Sequence, residues 1–330
     1  PFVVWGYSLS TVARTLIAAA ASPLHVFGLR LADRVGKGLR TSPRDALIAA
    51  AVPSEFRGRA FSVQRAMDHT GAILGSLVAA AALFWWTDDL RLVFWMMAVP
   101  GVLAVLVLVL AVREEDSDLP AALTAEPGKS GKSGKPDTPA ASRREALGFL
   151  APLSVFTLGR ASDAFLLLAA YDVVQDKRML PLLWAALHAV KVGASIPGGV
   201  LADRIGRRRA IGIGWFVSAA ILAGFAFAAS PLAILLLFLA HGLHHGLSEG
   251  PERALVAQFA PRGARGTAFG VYHVTAGIVA LAGSLLYGGL WDLASRRVAF
   301  LAGTGLATLG VVLLLALAPR SAAASLKTSI

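Results

Sequence analysis

Three titratable side chains recur every four residues within one apolar stretch of the sequence. His241, His245 and Glu249 hold these positions, so an α-helix would place all three on one face. Histidine titrates near neutral pH, and two histidines at i and i+4 with a carboxylate also have a spacing that binds metal ions. Three interpretations stay open: proton or solute handling, a metal site, or packing with a charge pair to Arg253. A metal site would need another convergent ligand, and because none is evident we predict neither a bound metal nor a cofactor.

Further charged side chains interrupt apolar stretches in the second half of the sequence. Arg160 and Asp163 lie one helical turn apart and are expected to pair, with Asp163 as a candidate proton-coupling carboxylate. Lys191 shares a helix face with His188 and has no acidic residue in its own stretch. A lysine buried in this way needs a partner or an anionic ligand. We therefore predict that these four side chains line a cavity for a solute or for protons.

A charged helix face is predicted in the segment Leu24–Val52. Its seven charged residues fall within an arc of roughly 140° when each residue turns about 100°. That pattern fits either a helix that lines a polar cavity or a helix that lies in the membrane interface. The positions expected deepest in a cavity are Arg30, Asp33 and Arg34, which we predict to contact solute. Charge pairs of a gate are expected toward one end of the bundle, from Arg44, Asp45, Arg65, Asp68 and Arg253.

Membrane-spanning helices are the elements that must position these charges. Of the 330 residues, 56% are hydrophobic and only 15% are charged, and the mean hydropathy is +0.66. A water-soluble domain carries about 25% charged residues, so the composition predicts an all-α integral membrane protein. A bilayer-crossing helix needs about 20 apolar residues. Ten stretches qualify: Pro1–Ala21, Leu24–Val52, Ala60–Trp86, Leu92–Val112, Ala146–Ala170, Leu180–Ala202, Ala210–Ala229, Leu232–Ala260, Thr267–Leu290 and Val298–Ala318.

The polar stretch Arg113–Glu145 divides the chain into two predicted bundles, residues 1–112 and 146–330. Its Gly-Lys-Ser repeats cannot form a core, so we predict a disordered linker. Sixteen basic residues lie in connections on the linker's side of the membrane and five on the other side. This bias predicts a cytoplasmic linker and C-terminus in a multi-pass, bacterial-type inner membrane. The net charge of +11 is spread over these connections, which excludes a nucleic-acid-binding patch.

The two halves repeat each other without gaps. Residues of the same type recur at an offset of 208 around the same connection between two stretches. Matching positions include Pro43 and Pro251, Arg57-Gly58 and Arg265-Gly266, and Gly75 and Gly283. Duplicated halves are typical of secondary transporters, in which the solute site lies between the repeats near the membrane midplane. The repeat also favours a cavity-lining helix over an interfacial one for Leu24–Val52, because the matching stretch Leu232–Ala260 is too apolar in its first half to lie flat.

A second motif joins the stretches Leu180–Ala202 and Ala210–Ala229. It reads Gly-Val-Leu-Ala-Asp-Arg-Ile-Gly-Arg-Arg-Arg over residues 199–209. This segment resembles the G-x-L-A-D-R-x-G-R-R/K loop signature of the major facilitator superfamily. The residues that match it are Gly199, Asp203, Arg204, Gly206, Arg207 and Arg208.

The resemblance implies a fold of two pseudosymmetric helical bundles with twelve transmembrane helices. In that family the loop follows the second and the eighth span, so the present chain would hold ten of the twelve. We accordingly expect a sequence truncated at its N-terminus, with the first two spans missing. The family's loop connects the two halves when the solute site faces outward. By pseudosymmetry it would bring Asp203 close to Gly58 and Arg59, at the start of the Ala60–Trp86 span.

The sequence therefore predicts a secondary active transporter that moves a small solute by alternating access, coupled to protons. Efflux of a drug or metabolite and uptake of an organic solute both fit, and the balanced to mildly basic deep charges favour an anionic or zwitterionic solute. We expect a functional monomer in the lipid bilayer that is not an enzyme. A transporter-like sensor or scaffold that moves no solute is the alternative, and a metal-dependent membrane enzyme is a more distant one.

Overall fold

Twelve α-helices account for nearly all of the chain that the computed structural model describes, which is residues 2–111 and 139–318. Residues 112–138, most of the predicted linker, lie outside this range. The helices are α1 (Phe2–Leu16), α2 (Pro23–Ala51), α3 (Arg57–Trp85), α4 (Leu90–Met96), α5 (Ala98–Ala111), α6 (Pro139–Gly159), α7 (Asp163–Val174), α8 (Met179–Ile205), α9 (Arg207–Phe227), α10 (Pro231–Phe259), α11 (Arg265–Leu293) and α12 (Arg296–Leu317).

These helices correspond to the ten predicted stretches, two of which are broken. Helices α4 and α5 form one stretch that breaks at Met97, where Pro100 has no N–H to continue the hydrogen bonds of α4. Helices α6 and α7 form the other. Eight segments in the described ranges are long and apolar enough to cross a membrane. The remaining two are α1, of which 15 residues are helical, and α2, with its charged face.

The linker ends earlier in the chain than the sequence predicts. Helix α6 begins at Pro139, so residues 139–145 extend the helix that was expected to start at Ala146. The run of alanine and charged residues here has good helix propensity, which explains the extension.

The sequence repeat is also a repeat of helix boundaries. Helices α2 and α10 begin and end 208 residues apart, as do α3 and α11. Helix α2 is capped by Ser22, whose side chain accepts the His25 N–H at 3.3 Å, and α10 by Ser230, which accepts the Ala233 N–H at 3.2 Å. A proline follows each cap, in the first turn where its missing N–H is tolerated.

The two halves meet along a few helices. Helix α3 of the first half packs along α8 and α10 of the second, and α2 packs on α11. We call the end of the bundle at which α5 ends and α6 begins the linker end. The connections α2–α3, α8–α9 and α10–α11 also lie there. The opposite end, with the connections α3–α4 and α7–α8, is the far end.

The break between α6 and α7 corrects one expectation from the sequence. Arg160, Ala161 and Ser162 are not helical, and the Ser162 side chain caps α7 by accepting the Ala164 N–H at 3.4 Å. Arg160 and Asp163 are therefore not one turn apart on a continuous helix, and they do not pair within the described structure. Asp163 becomes the first residue of α7, at a helix N-terminus that favours a carboxylate.

Candidate functional site

A cluster of five charged and imidazole side chains lies within the second half. This central cluster consists of Asp163, Lys191, His241, His245 and Glu249. The Lys191 Nζ lies 2.7 Å from Asp163 Oδ2, and the His245 Nε2 lies 3.2 Å from Asp163 Oδ1. The His245 Nδ1 lies 2.9 Å from Glu249 Oε1. His245 thus bridges the two carboxylates, and Asp163 is the partner that the sequence required for Lys191.

Two histidines, His241 within the central cluster and His188 beside it, differ in their contacts. His241 is fully buried, with its Nε2 3.4 Å from Asp163 Oδ1, yet neither of its ring nitrogens makes a hydrogen bond. His188 donates its Nδ1 hydrogen to the Trp184 carbonyl at 2.9 Å, and its ring meets that of His69 edge-on. His188 therefore packs beside the cluster without touching either carboxylate.

Glu249 links the central cluster to the first half of the chain. The Arg65 Nε of α3 lies 2.5 Å from Glu249 Oε2, and the His69 Nε2 lies 3.6 Å from the same oxygen. Arg65 also reaches Asp68 Oδ2 at 2.8 Å, and Arg44 lies 3.5 Å from Asp68. Ion pairs and hydrogen bonds therefore form a continuous network from the interior of one half to the surface of the other.

A second group of charges, which we call the gate, lies between α2, α10 and α11. The fully buried Asp45 accepts hydrogen bonds from Arg253 Nε and His273 Nε2, both at 3.1 Å, and lies 3.4 Å from Arg44 Nε. Asp45 and Arg253 stand 208 residues apart, so they are equivalent positions of the repeat with opposite charges. Their pair lies where the two halves meet across the pseudosymmetry axis.

The latch, which consists of Asp203, Gly58 and Arg59, connects the halves at the linker end. The Asp203 carboxylate accepts the Gly58 N–H, the Arg59 N–H and the Arg59 Nε–H, each at 3.1 Å. These are the residues near which pseudosymmetry placed Asp203. Amides at the start of a helix are natural donors to a carboxylate because they lack partners within the helix.

The remaining motif residues shape the chain around the latch. Gly199 crosses α3 so closely that a Cβ would lie 2.7 Å from the Ser62 Cβ. Gly206 has a φ of +92°, which only glycine adopts readily. Arg207 donates to the Ser54 carbonyl and, at 2.9 Å, to Gln258 Oε1. Arg208 donates to the carbonyl of Leu315 in α12 and to that of Ala318, directly after the helix. Arg204 is exposed.

Two repeat-related arginines at the linker end were not identified as site residues from the sequence. Arg57 donates to the Ala257 carbonyl at 3.4 Å, and Arg265 donates to the Ala49 carbonyl at 2.9 Å. Arg57 and Arg265 are 208 residues apart, and so are Ala49 and Ala257. The two contacts are therefore related by the pseudosymmetry of the repeat. The Arg-Gly dipeptide in both copies of the repeat was the signal that marked them.

A small cavity of about 70 Å³ lies in the second half, between α6, α10 and α11. Glu252 lines it, and its carboxylate accepts hydrogen bonds from Trp215 Nε1 at 2.8 Å and from the Tyr272 hydroxyl at 2.9 Å. Arg160 lines the same cavity. Glu252 forms no ion pair within the described structure, unlike the carboxylates of the central cluster. The sequence prediction did not include it because its donors, Trp215 and Tyr272, come from other helices.

Three predicted cavity residues lie away from the central cluster. Asp33 pairs instead with Arg14 of α1 at 2.8 Å, and the Ser10 hydroxyl donates to the Asp33 carbonyl. Arg30 and Arg34 are exposed on α2. The deep end of the charged face of α2, with Arg30, Asp33 and Arg34, therefore faces α1 or the surface, whereas Lys37 and Asp45 lie near charged groups of the second half.

The structure places a carboxylate, which the sequence did not predict there, beside two histidines whose side chains could bind a metal ion. Ligand atoms of Asp163, His241 and His245 all lie within 4.8 Å of one another. Asp163 is far from the histidines in sequence, and only the break before α7 and the packing of α7 on α10 bring it there.

A helical membrane protein made of two repeated halves, with buried charges between them, is the class that this architecture defines. The chain belongs to the Major Facilitator Superfamily: the profile of that family matches residues 1–189 and 176–329. It is 32% identical over 320 residues to an uncharacterised transporter of this superfamily from Methanocaldococcus jannaschii, covering 95% of this chain and 77% of the relative. An uncharacterised protein of Mycobacterium tuberculosis is 26% identical over 305 residues, covering 88% and 70%.

Solved transporters share the fold. A human organic anion transporter superposes with a TM-score of 0.66 at 16% identity, covering 94% of this chain and 76% of that one. A proton:xylose symporter of the superfamily superposes with a TM-score of 0.71 at 14% identity, covering 96% and 79%. The chain is therefore a member of a secondary transporter family and not an enzyme.

Proposed function

We propose that the protein is a proton-coupled secondary transporter that works by alternating access and is closed at its linker end in this structure. The observation that carries this proposal is the latch, in which a side chain of one half is bonded to backbone amides of the other. Hydrogen bonds of this kind can form and break as a unit when two rigid halves rock. The gate pair Asp45–Arg253 lies in the same interface and would separate in the same movement.

We assign the solute site to the central cluster. It lies between the gate and the far end, and it joins α7, α8 and α10 to α3 of the other half. At the far end the polar contacts between the halves in the described ranges are made by exposed groups, such as Lys177 Nζ, which donates to the Asp88 carbonyl at 3.0 Å. A contact of this kind contributes little to stability and opens readily.

The membrane orientation follows from the bias of sixteen basic residues against five. The linker end would face the cytoplasm of a bacterial-type inner membrane, and a single chain would form the transport unit. In this orientation the structure represents the state closed to the cytoplasm.

We place proton coupling at Glu252, because it is a buried carboxylate held by two neutral donors. The groups that face it are Trp215 and Tyr272, with Arg160 and Arg253 at longer range. Glu252 and its donor Tyr272 are each followed in the sequence by a residue of the gate. These residues are Arg253 and His273, and both donate to Asp45. Loss of the Glu252 proton would leave an unpaired buried charge and attract Arg253, which weakens the gate.

The latch predicts the effect of the substitution Asp203→Asn. An amide can accept fewer hydrogen bonds than a carboxylate and carries no charge, so we expect the population open at the linker end to rise about tenfold. The chain contains no cysteine, so spin labels can be attached at Glu55→Cys and Arg209→Cys, both exposed, and their distance measured by pulsed electron resonance. Asp292→Asn, at an exposed site outside the latch, is the matched control. An unchanged distance distribution in Asp203→Asn would show that the latch does not hold the halves together.

The coupling assignment predicts how the same label distance depends on pH. In the wild-type protein, raising the pH should ionise Glu252 and increase the open population at the linker end. In Glu252→Gln the distance distribution should stay at its low-pH form across the range. Glu145→Gln, at an exposed position, should retain the wild-type response. A pH response that persists in Glu252→Gln contradicts the assignment.

A further inference from the structure

We propose that Asp163, His241 and His245 form a binding site for a divalent first-row transition metal ion, and that this ion is the transported solute. The binding site stands on its own geometry. The assignment of the ion as solute rests on the transport function proposed above.

The spacing of the three ligand atoms fits one small ion. Asp163 Oδ1 lies 3.2 Å from His245 Nε2 and 3.4 Å from His241 Nε2. Ligands bound to one ion at about 2.0–2.2 Å lie roughly 3.0–3.5 Å from each other. Two imidazoles and one carboxylate are also a ligand set that zinc, iron and cobalt accept. The two imidazole nitrogens lie within 4.8 Å of each other, a separation that rotation of the side chains can reduce.

The surroundings of His245 and Asp163 suit a metal site. The other nitrogen of His245, Nδ1, lies 2.9 Å from Glu249 Oε1, so this carboxylate fixes the ring with Nε2 pointing at the triad. Metal-binding histidines almost always donate their second N–H to such a group. The second oxygen of Asp163 is held by Lys191 at 2.7 Å, which leaves Oδ1 as the ligand.

His241 supplies an independent observation that points to an ion. Its side chain is fully buried, and neither ring nitrogen has a hydrogen-bond partner in the described structure. Buried polar atoms without a partner are rare and costly. An ion bound at Nε2 would satisfy the nitrogen that points at Asp163.

Lys191 explains how such a site can be emptied. Without an ion its ammonium group neutralises Asp163, so the buried carboxylate is not left unpaired. With an ion bound, its positive charge opposes the ion and limits affinity. Three protein ligands leave a further coordination position open, which suits an ion that must be released rather than one that is structural.

The binding site is tested on the purified protein in lipid nanodiscs with Co²⁺ as the probe and Zn²⁺ as competitor. We expect the visible absorption of Co²⁺ bound by nitrogen and oxygen ligands, lost on addition of Zn²⁺. His241→Gln and His245→Gln should each weaken binding at least about a hundredfold, as loss of a direct ligand exceeds the cost of losing an outer partner. His244→Gln is the matched control, because the ring of His244 is on the same helix but bonds to the Gly214 carbonyl.

Metal binding and metal transport are tested by separate measurements. Folded wild-type protein that binds no Co²⁺, or equal binding in the wild type and both ligand variants, overturns the site. Uptake of Zn²⁺ into vesicles containing the wild type, and not His245→Gln, supports the ion as solute. Binding without such uptake overturns that assignment, provided that the linker-end label distance in the same preparation still shows both states. A label distance with one state only would instead contradict alternating access.

Discussion

Replacing Arg253 by methionine should open the linker end more than any other single change at the gate. Asp45 is fully buried, and Arg253 is the permanently charged partner that it has in the other half, with Nε at 3.1 Å. Removal of one member of a buried ion pair typically costs about 3–5 kcal/mol, because the other charge is left uncompensated. His273 and Arg44 also contact Asp45, so we expect the lower value, about 3 kcal/mol. This cost lowers the ratio of closed to open molecules roughly a hundredfold.

The repeat provides a sharp control for this prediction. Asp45 and Arg253 are equivalent positions of the two halves, so the double variant Asp45→Arg with Arg253→Asp exchanges their charges across the pseudosymmetry axis. It should restore most of the closed population, as measured by the label distance at the linker end. Arg297→Met, which removes an arginine that stacks on the Phe227 ring within the second half, should leave that distance unchanged. If the exchanged variant is as open as Arg253→Met, the pair does not act as a gate.

The second large effect is expected from a glycine of the latch. A Cβ at Gly58 would lie 2.4 Å from Asp203 Oδ1 and 3.1 Å from the Gly199 carbonyl oxygen. Gly58→Val must therefore move α8 away from α3 or displace the carboxylate from its amide donors. Overpacking of this kind costs about 1–3 kcal/mol, so the ratio of closed to open molecules should fall by roughly five- to a hundredfold.

The matched control for Gly58 lies at the same position of the other repeat. Nothing lies within 4 Å of a Cβ built at Gly266. Gly266→Val should therefore be neutral or slightly stabilising, since valine has a higher helix propensity than glycine. Thermal unfolding and the linker-end label distance check both variants. Equal effects of the two substitutions would mean that close packing at the latch is not what keeps this end closed.

Much of the fold was predictable because it depends on local patterns. The apolar stretches gave the helices, and the offset of 208 residues gave helix pairs whose boundaries then agreed residue by residue. The contact between Asp203 and the start of α3 was predictable as well. It follows from the motif together with the repeat, and both are visible in one sequence.

The interior of the site could not be predicted, because it depends on a break and on packing between distant helices. The spacing of Arg160 and Asp163 indicated a pair on one helix. Residues 160–162 are not helical, however, and Asp163 forms its ion pair with Lys191 instead. Asp33 was expected in the cavity from the helix period, but that period cannot tell which neighbour the polar face meets. In the structure, Asp33 forms its ion pair with Arg14 of α1.

The two ends of the protein should open in turn, and two pairs of spin labels can measure this. One pair reports the linker end, at Glu55→Cys and Arg209→Cys, and a second reports the far end, at Asp89→Cys and Gln175→Cys. Both distances would be measured over a pH series and with added Zn²⁺. If the halves alternate, every condition that lengthens one distance should shorten the other. Distances that lengthen together, or a linker-end distance that never changes, would contradict it.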